Sequence, residues 1–274
     1  MARRETANAT PSGARLVEYD EIGSTSAEAR KRFDRGERGP IWILAELQTD
    51  GYGRRGSAWR QKPGDLAATF LTRAPGPRAR VGELSFVAAL AIYEALERVC
   101  DGARLSIKWP NDMLLDGGKT GGILLELFDD PDKPVIAMGV GINIKHRPPK
   151  DAAPYPMARL ADGIDNVEMT PTPRDLVTAI DGHFLNLCAV WLKHGFAPIR
   201  EAWLERAHGI GSELIVRIGG DEIAGRFDGI DGAGRLILDL PDGERMRIDA
   251  GEVAFAHLEH DADEASGDSQ PKSS

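Results

Sequence analysis

Two segments of the sequence carry side chains suited to holding a negatively charged ligand. Gly51–Gly56 combines three glycines, whose backbone N–H groups can approach a phosphate closely, with the guanidinium groups of Arg54 and Arg55. Lys108–Asp112 is followed by Lys119 and a Gly-Gly pair, and glycine inside a strand often marks close approach of a ligand. A solvated basic loop or a turn aspartate is common on its own, but the combination predicts a site for an anion.

The spacing of Gly51, Gly53 and Gly56 also matches the dinucleotide-binding fingerprint Gly-x-Gly-x-x-Gly. That fingerprint requires a helix immediately after the glycines, because the helix N-terminus holds the pyrophosphate. The following residues, 57–64, end in Pro-Gly and do not suit the first two turns of a helix. We therefore interpret residues 51–56 as a mobile phosphate-binding loop and not as part of a Rossmann fold.

Hydrophobic patterning predicts the elements that position these segments. Residues 113–127, interrupted by Gly117-Gly118, predict a tight hairpin. A run of helix formers after Ser24 predicts a capped helix, and residues 83–99, apolar on nearly all sides, predict a buried one. Further predicted elements are extended segments at 16–19, 41–45, 66–72, 104–109 and 135–144, and a helical region at 174–207 with a break at 195–198.

The pattern changes at Gly209. From there the sequence alternates short apolar runs with glycine-rich turns, which is typical of a small barrel or meander. The predicted strands are 214–218, 222–230, 235–240 and 244–248. This change of pattern predicts a second, smaller domain.

Composition excludes several classes of protein. Acidic residues outnumber basic ones by 43 to 34, whereas a nucleic-acid binder usually has a basic excess. No apolar run is long enough to cross a membrane, and Met1–Arg15 lacks the apolar core of a secretory signal. The two cysteines, Cys100 and Cys188, form no Cys-x-x-Cys or Cys/His cluster, which predicts buried thiols and no zinc site. A cytoplasmic protein without a nucleic-acid or membrane partner is expected.

Lys108–Glu126 and the loop Gly51–Gly56 together resemble the signature of the biotin–protein ligase family, and the order of elements is similar from about residue 16 to 257. The resemblance implies an α/β (α+β) fold. It comprises a mixed-sheet, class II synthetase-like catalytic domain of the biotin–lipoate ligase type at 16–208 and a small SH3-like barrel at 209–258. The flanking residues 1–15 and 259–274 are predicted to be disordered tails.

Site residues are carried over by matching positions. Catalytic roles are implied for Lys119, Arg54 and Asp112. Biotin-binding roles are implied for Ser24, Thr25, Ser26, Gln48, Tyr52, Gly53, Arg54, Lys119, Gly121 and Gly122. ATP-binding roles are implied for Arg54, Arg55, Trp59, Lys108, Asn111, Lys119 and Asn143.

The chain departs from the family pattern at two of these segments. Tyr52 stands where the family usually has arginine, which removes one positive charge from the phosphate loop. Asp65 stands where asparagine is usual. These two departures are the reason why a paralogue with reduced activity stays an open alternative.

The implied reaction joins biotin to AMP at the expense of ATP and then passes biotin to a lysine of an acceptor protein. Since both biotin and ATP are anionic, Lys119 is expected to bridge them while Arg54 and Arg55 close over the phosphates. Mg²⁺ is expected to arrive with ATP, and Asp112 is expected to hold that metal or to orient the incoming amine. The loop 51–56 is expected to shield the adenylate, a mixed anhydride, from water.

Three alternative functions compete with this one, and the second of them, a repressor, is disfavoured. A lipoate ligase performs the same reaction on a different acid. A biotin-sensing repressor would need a helix-turn-helix domain, for which only about fifteen residues precede the catalytic pattern. A non-catalytic biotin-binding paralogue is the third. The expected acceptor is a biotin carboxyl carrier domain of a carboxylase, and the sequence leaves homodimer formation open.

Overall fold

A computed structural model describes residues 3–100, 105–149, 155–249 and 251–255. Its strands form two separate sheets, one of eight strands and one of five. The strands of the first sheet are β1 (Arg3–Thr6), β2 (Arg15–Ile22), β3 (Ile41–Gln48), β4 (Leu66–Arg73), β5 (Leu105–Lys108), β6 (Asp112–Leu115), β7 (Gly118–Phe128) and β8 (Val135–Ile142). The strands of the second are β9 (Glu213–Ile218), β10 (Asp221–Ile230), β11 (Leu236–Asp239), β12 (Arg245–Ile248) and β13 (Glu252–Phe255).

The eight-stranded sheet is mixed, with the order β1-β2-β3-β4-β8-β7-β6-β5. Strands β2 and β3 run parallel, and every other neighbouring pair is antiparallel. The first five residues of β3 are all buried, as expected for a central strand covered on both faces. The mixed sheet agrees with the predicted α/β fold class.

Helices cover both faces of this sheet. They are α1 (Thr25–Asp34), α2 (Leu84–Glu97), α3 (Pro173–His194) and α4 (Ala197–Leu204). The face under α1 holds a cluster that includes Val17, Ala29 and Ile43, whereas α2 to α4 share a larger core with Trp42 and Phe70 on the other face. The predicted helices therefore form, and the predicted break before α4 occurs at Gly195, whose φ of 81° ends α3.

The five-stranded sheet is antiparallel, with the order β12-β11-β10-β9-β13, and this arrangement fits an SH3-like fold. Leu214, Val216 and Phe227 of this sheet belong to the same core as α2 to α4. The indole Nε1 of Trp109 also donates to the carbonyl of Gly234 at 3.1 Å. The small sheet is thus packed directly against the segment that carries the Lys108–Asp112 motif.

The prediction of a disordered tail at 1–15 is wrong for the described residues. Strand β1 pairs with β2 in antiparallel register, and Thr10 and Ala14 are buried. Ser12 donates its backbone N–H and its hydroxyl to Asp181 of α3, both at 2.7 Å. Residues 3–6 are polar, so their order comes from the free edge of β2 and not from an apolar pattern of their own. The predicted tail at 259–274 lies outside the described residues.

No helix in the described ranges has the length and apolar character needed to cross a membrane.

Candidate active site over the large sheet

A cavity of about 520 Å³ opens over strands β7 and β8 of the large sheet. Its wall contains nearly every predicted site residue, including Lys119 of β7, Asp112 of β6 and most of the loop Gly51–Gly56, hereafter the arginine loop. Ser24 and Gly121 are not part of that wall. Val253 of β13 and Gly251, which directly precedes that strand, complete it, so both sheets contribute to one cavity.

The wall nearest α1 is a network of hydroxyl groups around Gln48. The Gln48 side-chain oxygen accepts from the backbone N–H of Thr25 at 2.7 Å and from its hydroxyl at 3.0 Å. Thr69 donates to the Thr25 hydroxyl at 2.9 Å, and its own oxygen lies 3.2 Å from that of Ser26. Ser24 instead caps α1 by accepting from the N–H of Ala27. Its side chain therefore orients the helix from outside the cavity.

The arginine loop contains a single 3₁₀ turn, Arg54–Gly56, and the next element along the chain is strand β4 instead of an α-helix. Arg55 has a φ of 54°, and the backbone folds back so that Gly53 donates to Ser57 at 2.8 Å. A Cβ on Gly51 would lie 2.6 Å from both the Gln48 amide nitrogen and the Trp59 carbonyl. The loop therefore needs glycine for close backbone contact, which agrees with rejecting the Rossmann interpretation.

Arg54 joins this loop to the Lys108–Asp112 motif. Its guanidinium donates to the side-chain oxygen of Asn111 at 3.2 Å. Burial lowers the pKa of Arg54, and the positive charge of Arg55 acts in the same direction, whereas the carboxylate of Asp112 opposes both. The site thus gathers positive charge next to the carboxylate of Asp112.

Lys119 and Asp112 form an ion pair at the centre of the site, with 2.8 Å between Nζ and Oδ1. Burial alone would lower the pKa of Lys119, but the charge of Asp112 and the hydroxyl of Tyr155 outweigh it, so the pKa is raised. Lys119 is therefore a persistent cation inside the cavity. A Cβ on Gly122 would lie 3.2 Å from the Asp112 carboxylate, so this glycine leaves space for the pair.

The aromatic ring of Tyr155 lies beside both lysines of the motif. Its centroid is 5.0 Å from the ammonium of Lys108 and 5.6 Å from that of Lys119, within the range of cation–π attraction. Tyr155 comes from a proline-rich segment with no periodic pattern, so no signal in the sequence marks it as a site residue. Only the fold brings that segment to β7, where Lys119 forms an isolated bridge with Met157.

The nucleotide side predicted from the sequence is built around Trp59 and Asn143. The Trp59 ring lies against Gly141, where any Cβ would overlap it. Asn143 is 1% exposed, and its amide donates to the carbonyl of Ala158 at 3.2 Å. Its backbone N–H donates to the carbonyl of Thr120 at 2.8 Å. Asn143 is thus held rigidly beside the strand that carries Lys119.

Comparison with known proteins shows the family of this chain. Residues 24–143 match the biotin/lipoate A/B protein ligase family, and residues 209–256 match the biotin protein ligase C-terminal domain. The chain is 42% identical over 248 residues to a biotin–[acetyl-CoA-carboxylase] ligase of Paracoccus denitrificans, covering 85% of this chain and 97% of that protein. The chain belongs to the biotin protein ligase family.

Two further relatives agree with this assignment. The bifunctional ligase/repressor BirA of Bacillus subtilis is 28% identical over 239 residues, which cover 84% of this chain and 71% of that protein. A biotin protein ligase from Aquifex aeolicus, solved in complex with biotin and ATP, superimposes with a TM-score of 0.73 at 22% identity. That alignment covers 87% of this chain and 97% of the other. At this identity the structural match shows the common fold.

The two departures from the family pattern lie in different environments. Tyr52 lines the cavity, and burial together with the nearby carboxylate of Glu126 raises its pKa. Asp65 is 2% exposed and lies behind the wall. Its Oδ1 accepts three consecutive backbone N–H groups, those of residues 144–146, at 2.8–3.1 Å. The acceptor oxygen of the usual asparagine is therefore still present in Asp65.

Proposed function

We propose that the protein is an ATP-dependent biotin–protein ligase. It forms biotinyl-5′-AMP from biotin and ATP with release of pyrophosphate, and it then transfers the biotinyl group to a lysine of an acceptor protein. The observation that carries this proposal is the shared cavity of Lys119, Asp112 and the Arg54 loop, with Arg54 bonded to Asn111 at 3.2 Å. Membership of the family and the match of both family domains support it.

In the first half-reaction a carboxylate oxygen of biotin bonds to the α-phosphorus of ATP, and the bond to pyrophosphate breaks. We propose that Lys119 bridges the two anions because its raised pKa keeps it charged. Arg54 and Arg55 balance the phosphate charge from the loop. Mg²⁺ enters with the nucleotide as part of the substrate, since pyrophosphate leaves as a highly charged group.

The substrate positions follow from the wall of the cavity. We propose that biotin lies toward Thr25, Ser26 and Gln48, where hydroxyl and amide groups are already ordered by mutual hydrogen bonds. The nucleotide lies toward Trp59 and Asn143, and the aromatic ring of Trp59 offers a stacking surface for adenine. We propose that the two substrates meet at Lys119, which lines the same cavity as both regions.

In the second half-reaction the neutral amine of the acceptor lysine bonds to the acyl carbon of biotin, AMP leaves, and the amine loses a proton. We propose that Asp112 orients this amine, because its carboxylate already holds Lys119 beside the reacting atoms. The loop 51–56 shields the mixed anhydride from water until the acceptor arrives. Acyl transfer from an adenylate needs no enzyme nucleophile.

The partner we propose is the biotin carboxyl carrier domain of a carboxylase, in a cytoplasmic setting. Both cysteines are free, which suits a reducing compartment, and the net charge of −9 disfavours a nucleic-acid partner. Formation of a homodimer through an edge strand of the large sheet stays a prediction, which sedimentation would test.

Mass spectrometry of a carboxylase carrier domain tests this function. Incubation with the protein, biotin and Mg-ATP is expected to add one biotinyl group to a single lysine. Lipoate in place of biotin gives no product unless the protein is a lipoate ligase. If the protein catalyses biotin-dependent pyrophosphate exchange but does not transfer biotin, the carrier domain is not its acceptor. If neither reaction occurs, the protein is a biotin-binding paralogue without ligase activity.

A further inference from the structure

A buried carboxylate behind the nucleotide side of the cavity has no part in the chemistry described so far. Asp65 directly precedes strand β4, in the segment that follows the arginine loop, and it is 2% exposed. Five hydrogen bonds from four residues reach its two carboxylate oxygens. Each partner belongs to a segment that borders the nucleotide side.

The first oxygen of Asp65 fixes the chain where it leaves β8. Oδ1 accepts from the backbone N–H of Ile144 at 2.9 Å, of Lys145 at 2.8 Å and of His146 at 3.1 Å. Three successive N–H groups that converge on one oxygen determine the direction of this turn. Asn143 precedes the turn and Pro148 follows it, and both line the cavity.

The second oxygen connects the same turn to the segment that follows the arginine loop. Oδ2 accepts from the backbone N–H of Lys62 at 3.3 Å and lies 3.2 Å from Nδ1 of His146. Residue 62 is three positions after Trp59, whose ring covers Gly141 of β8. Asp65 therefore connects both sides of the proposed adenosine position, the Trp59 side and the Asn143 side.

We infer that Asp65 is a positioning residue for the nucleotide, and that it holds the Trp59 segment and the turn after β8 at the separation that fits adenosine. This inference rests on the proposed function. Asp65 does not line the cavity, so it acts through the backbone that it orders. The biotin side does not depend on it, because Thr25, Ser26 and Gln48 are held by other hydrogen bonds.

Asp181 offers a matched control in the same chain. It is 1% exposed, and its carboxylate accepts from Ser12 and, at 2.8 Å, from the indole N–H of Trp42. It joins α3 to the N-terminal segment and does not line the cavity. Substitution of Asp181 therefore removes a buried, hydrogen-bonded carboxylate without touching the nucleotide side.

The experiment measures biotin-dependent pyrophosphate exchange for the wild type and for Asp65→Ala, Asp65→Asn and Asp181→Ala. Asp65→Ala is expected to raise the KM for ATP about tenfold and to leave the KM for biotin within about twofold. Asp65→Asn keeps an oxygen for the three backbone N–H groups, so its KM for ATP stays within about threefold of the wild type. Asp181→Ala lowers the melting temperature but leaves both KM values unchanged.

Equal increases of both KM values, no increase, or the same pattern in Asp181→Ala would overturn the inference. Should Asp65→Ala fail to fold, Asp65→Ser is judged by the same criterion. Failure of the proposed function is recognised separately, since the wild type then shows no exchange. In that case calorimetric binding of a non-hydrolysable ATP analogue still tests Asp65, and equal affinity of wild type and variant overturns its assigned role.

Discussion

Glycines line the cavity of the eight-stranded sheet and also separate the strands of the five-stranded sheet, but their surroundings differ. At Gly122 and Gly141 an added Cβ would meet the Asp112–Lys119 pair or the Trp59 ring. At Gly219 and Gly243 nothing lies within 4 Å of an added Cβ, and φ is 60° and 85°. Gly122 and Gly141 thus leave space for the side chains of the cavity wall. Gly219 and Gly243 instead permit a left-handed backbone in the turns of the small sheet.

Charged pairs show the same contrast. Lys119 and Asp112 are enclosed in the cavity with side chains 16% and 17% exposed, next to the position where we propose that substrates meet. In the small sheet Arg245 pairs with Asp228 and Asp239 but is half exposed. An exposed pair is screened by water and contributes little. Removing the charge of Lys119 should therefore impair activity, whereas removing the charge of Arg245 should have almost no effect on it.

The largest effect is expected from Lys119→Ala. Removing a fixed cation from the point where two anions meet should reduce adenylate formation about 10²–10³-fold. Single-turnover formation of biotinyl-5′-AMP measures this, with Arg245→Ala as the control of equal charge change. Near-wild-type adenylate formation in Lys119→Ala would contradict the assigned role, and a comparable loss in Arg245→Ala would remove the contrast between the sheets.

Gly141→Ala should have the next largest effect. Its Cβ overlaps the Trp59 ring, so the ring must move away from the nucleotide side, and overpacking of this kind typically costs about 1–3 kcal/mol. We expect the KM for ATP to rise about tenfold and the tryptophan fluorescence to change. Gly232→Ala, in an open turn of the small sheet, is the matched control, because nothing lies within 4 Å of its Cβ. Unchanged ATP kinetics in Gly141→Ala would show that the strand adjusts freely.

Gly219→Ala should reduce stability without altering activity. Its φ of 60° is unfavourable for alanine, which should lower the free energy of unfolding by about 1 kcal/mol. Urea denaturation measures the loss, and pyrophosphate exchange checks that both KM values stay at wild-type level. A changed KM for either substrate would mean that the turns of the small sheet also influence the cavity.

The smallest effect concerns Asp130, between β7 and β8 and outside the cavity. Desolvation acts to raise the pKa of Asp130, but hydrogen bonds from Arg38, Arg73 and the backbone outweigh it and lower the pKa to about 2. The pKa of an unfolded aspartate is about 3.9, so this carboxylate stabilises the fold above that pH and loses its contribution as the pH falls toward about 2. Unfolding free energies of wild type and Asp130→Asn should therefore converge across that interval, and a constant difference would contradict the assignment.

Local patterns in the sequence determined much of this protein. The hairpin of β6 and β7 followed from Gly117-Gly118, and its register pairs Asp112 with Gly122. The same hairpin pairs Leu114 with Lys119, and with a bulge between Met113 and Leu114 it brings Asp112 to Lys119. The capped helix α1 and the change of pattern at Gly209 are equally local, since they depend on propensities and periodicity within about ten residues.

Contacts between distant segments were decided only by the tertiary structure. Strand β1 forms because β2 offers an open edge, Tyr155 reaches the two lysines from a loop without periodicity, and Gly251 closes the cavity from the second sheet. Asp65 receives three of its four hydrogen-bonding partners from about eighty residues further along the chain. Such contacts depend on how complete elements pack against each other, and no local propensity encodes that arrangement.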